Sequence, residues 1–102
     1  MKIEQAGTGG NFVSIIDVKG RKKVGEINLG KYRRPHGIDM DKATGTLYVT
    51  TELPDQLLAI DTRTRQVKRT YDTGGKTAHM VTLGPGAKHA YISHSNSANI
   101  GV

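Results

Sequence analysis

One stretch of this chain recurs at a fixed interval, and that interval constrains the fold more than any other feature. Pro35-His36-Gly37-Ile38-Asp39-Met40, a turn and Leu47-Tyr48-Val49-Thr50-Thr51 are matched by Ala78-His79-Met80-Val81-Thr82-Leu83, a turn and Ala90-Tyr91-Ile92-Ser93-His94. His36 and His79 stand 43 positions apart, as do Tyr48 and Tyr91. Ser14-Ile15-Ile16-Asp17 matches Leu58-Ala59-Ile60-Asp61 at a separation of 44, the extra residue falling in the turn between Val18 and Lys23.

Each recurring segment is short, rich in β-branched residues and bounded by Gly, Pro or Asp, which predicts strands. The expected strands are 12–17, 23–29, 36–40, 47–52, 56–61, 67–72, 78–83 and 89–95, with a weaker one over Lys2 to Ala6. No window keeps a 3.6-residue period, so no helix is expected. Phe12 to Asp17 and Leu57 to Asp61 are nearly continuous apolar runs, which suit strands covered on both faces. Val24 to Leu29 and Val67 to Asp72 carry charges, as outermost strands should.

A period in the low forties made of four short strands is the mark of a β-propeller blade. The fold class expected is therefore all-β, with blades of four antiparallel strands. Residues 1–34 form a partial blade (strands b, c and d), 35–77 a complete one, and 78–102 a partial one (strands a, b and c). Ile15, Ile38, Met40, Val49, Ile60, Val81, Leu83 and Ile92 are expected between blades, largely buried where the neighbouring blades are present. Two and a half blades cannot close a ring. The expected partners are therefore further copies of the chain or the remaining blades of a longer one. A head-to-tail ring would advance two blades per chain.

Composition removes several function classes. With no cysteine, thiol catalysis, disulfides and zinc–thiolate sites are excluded. No run approaches the ~20 apolar residues of a membrane helix, and no apolar core of a signal peptide follows Met1. Membrane insertion is not expected. The formal net charge of +6 concentrates at Lys19, Arg21, Lys22 and Lys23 and at Arg63, Arg65, Lys68 and Arg69. Such a rim attracts nucleic acid or acidic surfaces. Lys and Arg on an outer edge also discourage edge-to-edge strand pairing, and no aromatic residues are interleaved here for base stacking. The second reading is favoured.

The Pro-His-Gly turn, the alternating strand and the Leu47-Tyr48-Val49-Thr50-Thr51-Glu52 segment together resemble the YVTN family of β-propeller repeats. The signature is looser at Ala90-Tyr91-Ile92-Ser93-His94-Ser95-Asn96, and Ile16-Asp17 and Ile60-Asp61 resemble the Ile-Asp pair before the family's c–d turn. Gly84-Pro85-Gly86-Ala87-Lys88 departs from the usual Asp-Gly turn, and Tyr71-Asp72-Thr73 from the usual apolar end of the outer strand. The resemblance spans roughly Asn11 to the end. It implies seven blades in a full-length protein, a periplasmic or extracellular location, and a binding or surface role without a single activity. Related propellers hold haem or copper in redox enzymes, through ligand motifs not found here.

The histidines are the candidates for chemistry. His36 and His79 share a repeat position at the start of the innermost strand, which in a closed ring converges on the mouth of the central channel. Imidazoles there suit a metal or an anion; alternatively each fixes its strand start by bonding a neighbouring blade. No cofactor and no catalytic or metal-ligating residue is predicted. Asp17 and Asp61 suit Asx turns, and Tyr48 and Tyr91 suit inter-blade filling. His89 and His94 fall on opposite faces of one strand. Gly74-Gly75-Lys76-Thr77 lacks the first Gly and the helix of a phosphate loop. Three functions remain: a non-catalytic binding or scaffold module of unknown ligand, part of a redox propeller with a His-lined metal or haem site, or a nucleic-acid or acidic-surface binder.

Overall fold

A computed structural model describes residues 10–96 and the backbone of Ile100–Gly101; the strand expected over Lys2 to Ala6 lies outside the described residues. The strands are β1 (Phe12–Asp17), β2 (Lys22–Asn28), β3 (Arg33–Asp41), β4 (Thr46–Leu53), β5 (Asp55–Asp61), β6 (Gln66–Asp72), β7 (Ala78–Leu83), β8 (Ala90–His94) and β9 (Ile100–Gly101). They form three sheets, β1-β2, β3-β4-β5-β6 and β7-β8-β9. Every pairing is antiparallel between strands consecutive in the chain. The eight strands expected within the described residues are present, each end within three residues of the expected one. Among the described residues no α-helix occurs, and none is long and apolar enough to cross a membrane. Pro85–Ala87 makes a single 3₁₀ turn, with Gly86 at φ 66°.

Turn chemistry explains why the strands reverse where they do. The Asp41 carboxylate accepts the Ala43 N–H at 3.2 Å, and the Asp41 carbonyl accepts that of Gly45, which sits at φ 71°. Asp61 repeats this: its carboxylate accepts the Arg63 N–H at 2.9 Å and its carbonyl the Arg65 N–H at 2.7 Å. This is the Asx turn expected of Asp61. Asn28 and Asp72 do likewise, accepting the N–H of Gly30 and Gly74.

The repeat extends to irregularities in the ladders. The register slips between Ile15 and Ile16, leaving Val24 unpaired on β2, and between Ala59 and Ile60, leaving Lys68 unpaired on β6. These bulges stand 44 residues apart, at equivalent places. A bulge bends its strand and increases local twist, so the first two sheets curl alike and can stack.

The second sheet is the centre of the molecule because both of its faces are covered. Residues paired across a ladder share a face, so Leu47, Val49, Leu58, Ile60 and Val67 lie together. They pack against Ile27, Leu29, Val13, Ile15 and Tyr32 from the first sheet and the segment after it. On the opposite face Tyr48 and Leu57 meet Ala78, Val81, Ile92 and Ala90 of the third sheet. Burial on both faces is what the continuous apolar run of β5 anticipated; Leu57, Leu58, Ala59 and Ile60 are all buried.

Of the residues expected between sheets, Val49, Ile60, Val81 and Ile92 are buried, and Ile15 and Leu83 are half-buried. Among the described residues, the remaining positions lack the neighbouring strands on which their burial was expected to depend. Ile38 and Met40 are exposed, because they lie on β3 and the described part of the first sheet offers no strand opposite β3 to cover them. Tyr91 is exposed too, on the outward face of the third sheet, whereas its counterpart Tyr48 is half-buried under that sheet.

Candidate functional site

Where β3 approaches the start of β7, Gly37 on β3 carries no side chain and Thr50 on β4 carries a hydroxyl, and these set the distance between two sheets. A Cβ added at Gly37 would stand 2.5 Å from the His79 carbonyl oxygen and 2.7 Å from Met80 Cα. No other residue tolerates that approach. The Thr50 hydroxyl, fully buried, accepts the Gly37 N–H and donates to the His79 carbonyl, each at 2.8 Å. Two further side chains of the second sheet take backbone N–H groups of β7. Asp55 accepts that of Ala78 at 2.8 Å, and Asp39 that of Leu83 at 2.9 Å. All of β7 is thus pinned along its length to the second sheet.

The pinning brings the two predicted histidines together. Their ring centroids are 3.6 Å apart, with planes inclined by 37°. Each sits in a bulge. His36 and Gly37 lie between the Pro35↔Thr51 and Ile38↔Val49 pairs, and His79 lies between Ala78↔His94 and Met80↔Ser93. Bulges re-aim side chains, and here they aim two imidazoles from neighbouring sheets into one stack. The residue two positions before each, Arg34 and Thr77, has a positive φ of 59° and 54°. His36 is exposed and His79 half-buried, so the stack presents an open edge to solvent. The His79 backbone carbonyl accepts from Thr50 of the second sheet, while the two rings meet each other.

Among the described residues no group of three His, Asp or Glu side chains is placed to hold a metal ion. The pair alone offers two nitrogen donors and leaves any further positions to a ligand. His89 and His94 do not meet: His89 lies over Tyr91 at 6.5 Å, whereas His94 is buried against Gly75. Both ring nitrogens of His94 are buried without a hydrogen-bond partner. Burial of His94 could not be read from the sequence, because it depends on Gly75 leaving room for the ring.

Much of the basic rim is engaged within the chain. Arg63 pairs with Asp61 and Lys23 with Glu26; outside the rim, Arg34 pairs with Glu52 at 3.0 Å. Lys68 donates to the Thr46 hydroxyl, and the Arg65 guanidinium lies over Gly25. The N–H groups of the turn, above all that of Arg63, hold the Asp61 carboxyl below its ordinary range. Burial, helped by Tyr71 and Asp41, raises the Tyr48 phenol against the opposing pull of Arg69.

No model of a known protein family matches the chain, and no curated protein matches it.

Proposed function

We propose that the chain is a run of β-propeller blades of the YVTN type, acting as a non-catalytic binding or scaffold module. Its ligand, a small molecule or a protein segment, meets the His36–His79 pair where β3 and β7 begin. The observation that carries this is the stack itself. One repeat position contributes an imidazole from each of two neighbouring sheets, and Gly37 and Thr50 hold them in register. Donors that converge from several repeats onto one mouth suit a ligand better than they suit packing. On the family reading the protein is periplasmic or extracellular.

Titration of the labelled protein with inorganic phosphate, a divalent metal ion and short acidic peptides, followed by NMR, tests this. Shifts confined to Gly37, Thr50, His79 and the two imidazoles support it. Shifts confined to the basic turns at Arg21 and Arg63 contradict it and favour an acidic-surface binder, whose affinity for duplex DNA would fall steeply with salt. A redox propeller would instead show stoichiometric copper or a haem absorption band in the purified protein.

A further inference from the structure

We infer that the group held by the His36–His79 pair is an oxyanion, a carboxylate or a sulfate- or phosphate-like group, and that the pair takes it more tightly as the solution becomes acid. The inference rests on the reading of the pair as a ligand site, and it adds the chemistry of the ligand and the direction of its control.

The ring nitrogens carry the argument. Among the described residues no protein group hydrogen-bonds a nitrogen of either ring, although His79 is half-buried. The pair is positioned through its backbone instead, by the Thr50 hydroxyl that joins the Gly37 N–H to the His79 carbonyl. Its polar atoms are thus left for a ligand. A neutral imidazole carries one N–H and an imidazolium two, so the pair offers at least two donors in every protonation state. Protonation adds positive charge to those donors. Two positive rings with centroids 3.6 Å apart repel, and an anion that touches both offsets the repulsion.

The surroundings favour an anion over a metal ion. The charged and titratable groups on the adjoining segments are Arg33 and Arg34 on β3, Glu52 on β4, Asp55 on β5, Lys76 before β7 and His94 on β8. Both carboxylates are engaged. Glu52 accepts from the Arg34 guanidinium at 3.0 Å, and Asp55 accepts the Ala78 N–H at 2.8 Å. His94 is buried against Gly75. No group of three His, Asp or Glu side chains therefore forms around the pair among the described residues, whereas resident metal ions ordinarily take three or four protein ligands. The formal net charge of +6 draws anions toward the chain at longer range.

The two ligand chemistries respond to acid in opposite directions. An anion is held best by protonated imidazoles, so its affinity rises as pH falls through the imidazole range. A metal ion needs the neutral ring, and its affinity falls over the same interval.

NMR titration of the isotope-labelled full chain with sodium sulfate, and separately with sodium formate, tests this at about pH 5.5 and about pH 7.5, either side of the ordinary imidazole value. Both anions keep their charge across that interval, and ionic strength is held fixed. Saturating shifts at the Gly37, Thr50 and His79 amides are expected, with binding roughly tenfold tighter at the acid pH. Anion contacts at the Arg21 and Arg63 turns are expected to be equal at the two values, because arginine stays charged. A chain carrying both His36→Gln and His79→Gln keeps side-chain donors that take no proton, and its ratio is expected to fall to about one. The ladder amides check that its strands persist, and the wild-type ratio stands without the variant. Equal or weaker anion binding at the acid pH would overturn the inference, as would a tenfold ratio that survives in the double variant. Shifts at these amides with zinc ions but with neither anion would overturn it too, while leaving the ligand reading in place. No response to the anions or to zinc would remove both.

Discussion

Val81 and Ile38 occupy the same position of the repeat, yet Val81 is 4% exposed and Ile38 51%. Both lie on the first strand of their sheets, and both have a paired partner of the same kind, Ile92 for Val81 and Val49 for Ile38. The difference is the neighbour. Val81 faces the second sheet, while nothing among the described residues faces Ile38. Burial in this molecule comes from stacking between repeats and not from the repeat itself, as expected of quasi-one-dimensional architectures.

Core substitutions should follow that rule. Ile60→Ala, at a fully buried position, is expected to cost about 2–5 kcal/mol. Ile38→Ala should stay within about 0.5 kcal/mol of wild type at dilutions where chains are single. Urea denaturation measures both. Equal costs would mean that Ile38 is covered within one chain.

The Gly37 contact is expected to be intolerant of a single methyl group. Gly37→Ala drives a Cβ against the His79 carbonyl and Met80 Cα, and overpacking of this kind costs about 1–3 kcal/mol. Thr50→Val leaves the buried Gly37 N–H unpaired, a loss of about 1–3 kcal/mol, whereas Thr50→Ser keeps the hydroxyl and most of the stability. Thermal melts of the three variants distinguish the two causes.

Asp61 contributes to acid sensitivity. Its carboxyl is held low in the folded chain, chiefly by the Arg63 N–H. The stability it adds is therefore present above the ordinary carboxylate value and is lost as pH falls through the lowered folded value. Asp61→Asn should flatten the stability profile in that acid window, and the stability that the carboxylate adds should be missing near neutrality. An unaltered acid slope would show that the turn does not hold the charged form.

Tyr48 acts at the other end of the scale. Burial raises its phenol, so the neutral form is favoured by folding. That stability is present below the ordinary tyrosine value and disappears as pH rises through the raised one. Tyr48→Phe should flatten the alkaline limb of the same profile.

Strand positions, antiparallel order and the Asp61 turn were legible in the sequence, because period-two alternation and turn residues are local signals. The meeting of His36 and His79 was legible only as a shared repeat position. Their contact depends on Gly37 and Thr50, whose roles emerge once two sheets are side by side. The exposure of Ile38, Met40 and Tyr91 was legible only as a condition, burial where a neighbouring blade is present. An apolar residue in a strand carries no mark of whether a neighbouring sheet is there to cover it. His94 illustrates the same limit from the other side, since a polar ring at a strand end is buried only because Gly75 lies above it.

The stacking of the second and third sheets through the start of their first strands is the relationship on which fold and site both depend. Nuclear Overhauser contacts in the isotope-labelled protein measure it directly. Contacts between the Gly37 and Met80 α-protons, and between the His36 and His79 rings, are expected alongside the ladder contacts within each sheet. Ladder contacts without these two would contradict it: the sheets would form, but the histidines would not share a site.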